Sequence, residues 1–488
     1  MKQLNRKNYL ATSYPTRIMQ FGEGNFLRAF VDWQIDSLNK NCQLNAGIAI
    51  IRPIDYDALP LLNTQDGLYT AIVRGVDEQG QAVQNSTVIE CVNEEIPVYK
   101  DFDRYMALAE SPDIELIVSN TTEAGIEFID SDRLSDRPCK AFPGKLTQWL
   151  YHRYLTFKGA ADAGVMILPC ELIDYNGEKL KEIVLRYCQL WDLEAGFVSW
   201  LNDANDFCST LVDRIVTGFP RDEHAALQQQ FGYEDNFMVT CEYFHLFVIQ
   251  GPDKLKEFLN LDQSDLNILV VDDIYPYKQR KVAILNGAHT AMVPVAYLAG
   301  LDAVKEVVDD ELFSKFVEQL IFNEVIPTLD LPQQELQEFA NAVISRFQNP
   351  YIHHLLMSIA LNSMTKFKTR LLPQLCKYVE LKGELPPSIV AAMAGQILLY
   401  RGKRGDQSVE LVDDAVWLTK FSALWQQFDD GAIQLTDLVA SVLSFSEHWE
   451  QDLTAIPGLV AAVTERLSGY MEHGVREELE ALLGAYQS

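Results

Sequence analysis

The stretch Arg17-Ile-Met-Gln-Phe-Gly22-Glu-Gly24-Asn-Phe26-Leu-Arg28-Ala29 decides how the first half of this chain folds. Arg17–Phe21 reads as a buried strand and Asn25–Asn39 as an amphipathic helix, with two glycines at the turn between them. A second apolar run, Gly47–Ile51, is the next strand. A backbone bare of side chains at this turn lets a pyrophosphate approach, and the helix start offers N–H donors and the positive end of its dipole. Phe21, Gly22, Gly24, Asn25, Phe26 and Arg28 are therefore candidate dinucleotide contacts. Leu27 occupies the place of the usual third glycine, so the spacing alone would also fit a plain tight turn. Its setting in a strand–turn–helix–strand unit favours the dinucleotide. The second strand runs into Ile51-Arg52-Pro53-Ile54-Asp55. An acid there would bind ribose hydroxyls, as in NAD, and an arginine could hold the extra phosphate of NADP, so Arg52 and Asp55 point in opposite directions.

Outward from this unit, strands are expected at Leu68–Arg74, Thr87–Val92, Ile114–Asn120, Gly164–Cys170 and Leu266–Asp273, with further β-rich sequence over Phe237–Gln250. Strands alternating with helices imply a mostly parallel sheet covered on both faces. After about Tyr275 the pattern becomes a series of helices, broken near Pro327, Pro332, Pro350, Pro373 and Pro386-Pro387. A chain of 488 residues exceeds one ordinary core. Two domains are expected, 1–275 binding the dinucleotide and 276–488, mainly helical, carrying the substrate chemistry.

The second domain opens on Lys281-Val-Ala-Ile-Leu-Asn286-Gly-Ala-His289, a helix apolar almost all round. With the roughly 100° per residue of an α-helix, His289 lies about 80° from Lys281 and Asn286 about 140° from it. An amine, an amide and an imidazole drawn out of water need partners or a substrate in their place. Lysine is the cation whose pKa falls most readily on burial, which suits it to proton transfer. Cys170, lacking a matched base, reads as a structural thiol. His353-His354, being adjacent, face different ways and do not make a metal site.

Composition narrows the function. Hydrophobic residues make up 48% and charged residues 22% of the chain, as in a globular enzyme. The formal net charge of −29 disfavours nucleic acid and anionic membranes, and requires a local basic pocket for any anionic substrate. No run is long and apolar enough to span a bilayer. Met1–Lys7 lacks the apolar segment of a secretory signal, and eight scattered cysteines form no CxxC. A cytoplasmic location with reduced thiols is expected. Oligomeric state is not legible.

Several spaced motifs resemble the mannitol dehydrogenase family of polyol-specific long-chain dehydrogenases. These are Gly22-x-Gly24-x-Phe26-x-Arg28-Ala29, Gln65-Asp66-Gly67-Leu68-Tyr69-Thr70, Thr122-Glu123-Ala124-Gly125, Val212-Asp213-Arg214-Ile215, the Lys281/Asn286/His289 helix and Arg346-Phe347-Gln348-Asn349-Pro350. The resemblance implies a Rossmann-type first domain, a helical second domain, a substrate cleft between them, and metal-independent hydride transfer with NAD. It gives Lys281 the acid/base role, Asn286 the reacting oxygen and His289 a neighbouring hydroxyl. Thr122 and Glu123 join the cofactor contacts, and Asp213 the substrate contacts. A closer match within the family, carried by Gln20–Asp36 and Pro169–Gly177, implies a six-carbon sugar acid as the small-molecule substrate. A neutral polyol is the alternative. Leu172 departs from the family, standing where mannitol-type members carry the second amide of Cys-Asp-Asn. Asn176 is the candidate to replace that amide. A sugar acid also needs a cation for its carboxylate, and Arg346 and Lys366 are the candidates. A rival of another class, a redox-sensing dinucleotide-binding module, would have no use for the Lys/Asn/His set.

Overall fold

The computed structural model describes residues 1–55, 60–77, 81–122 and 125–485. The chain divides into two compact units, Met1–Gly75 with Val83–Ile274, and Tyr275–Ser488 with Val76–Ala82. Among the described residues no helix is long and apolar enough to cross a membrane.

The first unit is built on a six-stranded sheet: β1 (Thr16–Phe21), β2 (Gly47–Arg52), β3 (Val92–Pro97), β4 (Leu116–Ser119), β5 (Met166–Pro169) and β6 (Asp206–Phe207). The order is β3-β2-β1-β4-β5-β6, and every pairing is parallel. The order reverses between β1 and β4, and a ligand of such a sheet binds at the carboxyl ends of the strands beside that reversal. Ile18, Ile48, Ile50 and Val118 pack on one face, and Met19, Phe21, Ile51 and Ile117 on the other. Burial on both faces is why these strands read as continuous apolar runs rather than alternating ones.

Two expectations change here. The helix after the glycine turn is interrupted at Phe30 (φ −119°, ψ −74°), giving Asn25–Ala29 and Val31–Cys42. The run Thr87–Val92 is not one strand, since it spans the end of Ala82–Ile89 and the start of β3. β3 was hidden by its polar letters Asn93-Glu94-Glu95. Glu95 is nevertheless buried, because it pairs with Arg52 of β2 at 2.6 Å.

The second unit is almost wholly helical. Prolines begin its helices more than they break them: Pro332 precedes Gln333–Phe347, Pro373 lies in the first turn of Leu372–Lys382, and Pro387 opens Pro387–Leu399. A proline costs little there, because the first-turn N–H groups have no helical acceptor. Helix Gly287–Leu298 packs closely on Pro387–Leu399, and a Cβ on Gly395 would lie 2.9 Å from Val295 Cγ1. Two stretches, Lys281–Asn286 and Gln319–Val325, are π-helical.

Burial raises two carboxyl groups to near neutrality. The Asp32 carboxyl is fully buried, and desolvation raises it from 3.8 to about 7, against the opposing pull of the Tyr69 and Gln20 hydrogen bonds and of Arg28. The single Tyr69 hydroxyl hydrogen is offered to both Asp32 Oδ2 and the Arg28 carbonyl, each at 2.9 Å. A proton on Asp32, donated to the Tyr69 oxygen, resolves that conflict. Glu324 is likewise raised to about 7 by burial, although its carboxylate accepts the Ser388 and Ile389 N–H groups that begin Pro387–Leu399. Both groups bind protons more tightly folded than unfolded. Their contribution to stability is therefore complete below about pH 4 and is lost as pH rises through about 7. The urea midpoint is expected to fall between pH 5 and pH 7.5, and Asp32→Asn to flatten that slope. An unchanged slope in the variant would contradict this assignment.

Candidate active site

At the carboxyl edge of the first unit's sheet, Gly22 has φ +114°, and a Cβ there would lie 2.9 Å from the Asn120 carbonyl at the end of β4. Only glycine meets both conditions without strain. Gly24 has open space where a Cβ would stand, so the backbone at the start of Asn25–Ala29 is bare to an approaching group. Phe26 stacks on Phe30 at 5.0 Å. Two expected contacts serve the turn from within. The Phe21 ring is fully buried against Phe142 and Tyr105, leaving only its backbone at the turn. Arg28 reaches inward: Nε donates to the Glu23 carbonyl (3.1 Å), Nη1 to the Phe237 carbonyl (2.5 Å) and Nη2 to Asn25 Oδ1 (2.7 Å). It shapes the turn that a ligand would meet.

Beyond β2, Arg52 is also turned inward. It is 4% exposed, paired with Glu95 at 2.6 Å, 3.7 Å from Glu23, and bonded to the Pro60 carbonyl. Asp55 is exposed. Across the switch point, Thr122 has φ +76°, a strained conformation for a β-branched residue and one that clusters at functional sites. Glu123 lies outside the described residues. Buried Glu171 braces the same loop, accepting from Thr121 N–H (2.9 Å), Thr121 Oγ1 (3.0 Å) and Ser119 Oγ (3.0 Å). Burial raises its carboxyl above the ordinary value, against the pull of those bonds.

Asn176 cannot take the role expected of it. It is 1% exposed; its Nδ2 donates to the Pro169 and Glu171 carbonyls, and its Oδ1 accepts the Thr210 N–H. The amide ties the end of β5 to the strand Ser209–Asp213; both its N–H donors are used and the group is buried away from any substrate. Leu172 is 67% exposed, so the position of the missing second amide is open. Asp213 is buried at the end of its strand. Burial holds the Cys170 thiol well above its usual pKa, which leaves it unreactive. Among the described residues, Asp132, Asp136 and Cys139 lie close enough to share a cation. Asp132, however, already accepts the Lys140 and Ala141 N–H groups and bonds the Tyr187 hydroxyl, so it braces a loop.

In the second unit, Lys281–Asn286 is a π turn that continues into the α-helix Gly287–Leu298. A π turn closes between residues five apart, so Lys281 and Asn286 stand on one side of it. The 140° separation expected for an α-helix is thereby corrected. His289, three residues beyond Asn286, lies on the same stripe. These three positions are half-buried, whereas Ala283, Ile284, Leu285 and Ala288 between them are buried. The complete burial expected for Lys281 is not found; it sits at the margin of the apolar helix.

Around this stripe stand residues already named from the sequence, and two that were not, Thr290 and Arg370. The His289 ring packs on Phe347 (4.6 Å) and edge-on to His354 (5.2 Å). Phe347 follows Arg346, which is half-buried at the end of Gln333–Phe347. Thr290 Oγ1 donates to the Asn286 carbonyl (2.9 Å) and receives Arg370 Nη1 (3.2 Å). Lys366, one turn before Arg370 on Ser363–Arg370, donates to the Ile359 carbonyl (2.7 Å). Burial, then the field of Lys366, lowers the His354 pKa, so the imidazole beside His289 is neutral near pH 7. The i,i+4 spacing of Lys366 and Arg370 was the one available sign of a shared face.

Residues 16–263 match the mannitol dehydrogenase Rossmann domain and residues 273–471 the mannitol dehydrogenase C-terminal domain. The chain belongs to this family of oxidoreductases. An altronate oxidoreductase from Yersinia enterocolitica is 57% identical over 481 residues, covering 99% of this chain and 100% of that one. Among solved structures, a substrate-free D-sorbitol dehydrogenase aligns with TM-score 0.78 at 17% identity, over 98% of this chain and 100% of that one. Pseudomonas fluorescens mannitol 2-dehydrogenase, in a ternary complex with NAD and D-mannitol, aligns with TM-score 0.64 at 20% identity, over 99% and 100%. At those identities the two structures speak for the fold.

Gly22→Ala is expected to lower the melting temperature by about 2–4 °C through backbone strain and the Asn120 clash. It should also weaken dinucleotide binding, followed by tryptophan quenching, about tenfold. Wild-type binding by the variant would remove the turn from the site.

Proposed function

We infer that the protein is an NAD-dependent oxidoreductase interconverting D-tagaturonate and D-altronate, with residues 1–275 binding the dinucleotide and residues 276–488 carrying the substrate chemistry. The observation that carries this reading is the π turn that brings Lys281 and Asn286 to one side, in a chain 57% identical over nearly its whole length to an altronate oxidoreductase. The bare turn at Gly22 and Gly24 fits a pyrophosphate. The choice of NAD over NADP rests on charge. Among the described residues, Arg52 is held by Glu95, and Glu23 and Asp55 add negative charge near the end of β2, so a ribose 2′-phosphate would meet acids there. A ribose 2′-hydroxyl could instead donate to a carboxylate.

The bound nicotinamide supplies or accepts the hydride. The chain's own groups manage the oxygen of the reacting carbon. In reduction, the Lys281 ammonium gives its proton to the former keto oxygen; in oxidation, the neutral amine removes the hydroxyl proton. The Asn286 amide donates to that oxygen while negative charge develops on it. His289, packed against Phe347 and His354, is assigned the bond to a neighbouring hydroxyl. Asp213, Arg346 and Lys366 are the further substrate contacts proposed. The proposed chemistry assigns no role to a metal ion.

Asn286→Ala is expected to lower kcat about a hundredfold, the usual cost of losing one oxyanion donor, with little change in NADH affinity. Absorbance at 340 nm with tagaturonate should give kcat/KM at least about tenfold higher with NADH than with NADPH. Equal use of the two cofactors would contradict the charge argument. Faster turnover of fructuronate or fructose than of tagaturonate would overturn the substrate assignment.

A further inference from the structure

We propose that Lys366 and Arg370, linked to the catalytic helix through Thr290, form the subsite that holds the substrate carboxylate. This rests on the reading of the substrate as a six-carbon sugar acid, and assigns the carboxylate to a pair that includes a residue not yet given a role.

The two cations stand four residues apart on Ser363–Arg370. Like charges at that spacing repel, and both groups are half-buried, where the repulsion is less screened. Among the described residues neither forms an ion pair. Arg370 Nη1 donates to the Thr290 hydroxyl, and Lys366 Nζ to the Ile359 carbonyl. The acid that acts on Lys366 is Asp413, whose carboxylate is already bonded by the Tyr400 hydroxyl and the Met364 and Asp414 N–H groups. Desolvation lowers the pKa of both cations, as it does for charge taken from water without a counter-ion. Two such cations in a chain of net charge −29, on a surface that leaves carboxylates abundant elsewhere, are accounted for by an anion that arrives with the substrate.

Placement agrees. Ser363–Arg370 packs on the catalytic helix. A Cβ on Gly287 would stand in ordinary contact with Leu371 Cδ2 (3.4 Å) and the Arg370 carbonyl (3.5 Å), so the end of Ser363–Arg370 lies directly against this part of the catalytic helix. Thr290, which receives Arg370, lies one turn past Asn286, about 6 Å along the axis. In a keto-hexonate the carboxyl carbon is four bonds from the ketone carbon, roughly 5 Å with C–C bonds near 1.5 Å. With the ketone at Asn286, the carboxylate falls beside Thr290 and Arg370. A guanidinium can meet it with two parallel N–H donors.

The test compares each aldonate with its alditol, altronate against altritol and mannonate against mannitol, in the full-length protein. Arg370→Met and Lys366→Met should each raise KM for the aldonate about 10- to 100-fold, and the aldonate/alditol KM ratio at least about tenfold. Arg370→Lys should recover part of the loss. Lys368→Met, whose ammonium pairs with exposed Glu450, is the charge-matched control and should leave the ratio unchanged. A ratio unmoved in both Met variants overturns the proposal, whether or not turnover falls. If one variant does not fold by circular dichroism, the other decides. Failure of the underlying reading is seen separately, as a wild-type protein that turns over no aldonate. The subsite is then judged by thermal shift: an aldonate must stabilise the wild type more than its alditol does, and Arg370→Met must abolish the difference. Equal stabilisation by the two ligands overturns the proposal.

Discussion

One additional residue in a helical turn is the constraint on which the site depends. In a regular α-helix, Lys281 and Asn286 would face directions about 140° apart and could not serve one oxygen atom. The π turn over Lys281–Asn286 closes on a five-residue register and puts both on one side. His289 and Thr290 then follow on ordinary α spacing, which lets Thr290 bond the Asn286 carbonyl and receive Arg370. A π turn has poorer backbone hydrogen bonding than an α turn and needs support from its surroundings. Here that support is the apolar helix itself: Ala283, Ile284, Leu285 and Ala288 are buried, and a side chain at Gly287 would contact Leu371.

The first unit shows a different economy of charge. Arg28, Arg52 and Asn176 each looked, as letters, like groups reaching for a ligand. Each is turned inward: Arg28 holds the glycine turn by its backbone, Arg52 joins β2 to β3 through the Glu95 carboxylate, and Asn176 holds the junction of β5 with Ser209–Asp213. What they leave at the sheet edge is bare backbone at Gly24, the strained loop at Thr122, and acidic groups near the end of β2. On the proposed reading, that edge receives a phosphate-linked ligand without an extra ribose phosphate.

Legibility divides along the range of the interactions. The parallel sheet and the glycine turn could be read because strands buried on both faces leave long apolar runs, and a positive φ at Gly22 leaves a glycine; both signals are local. β3 could not, because Glu94-Glu95 resembles a surface until Arg52, 43 residues earlier, is placed beside Glu95. The π turn escaped for another reason: a helix apolar all round carries no periodicity that could betray one extra residue. The spacing of Lys281, Asn286 and His289 singled out this helix as the candidate site, yet the geometry assigned to it was that of the wrong helix. Arg370, His354 and Thr290 entered the site only through packing on that helix, which no motif records.

The central claim is that Lys281 and Asn286 act on one oxygen as a unit. The direct test is a double-mutant cycle of Lys281→Ala, Asn286→Ala and the pair, read as kcat/KM with saturating NADH and with NADH affinity followed in each variant. Groups that act together are strongly non-additive. The double variant should therefore be about as slow as Lys281→Ala alone, with NADH binding preserved throughout. Losses that simply multiply, or a Lys281→Ala variant that keeps most of its turnover, would contradict the account.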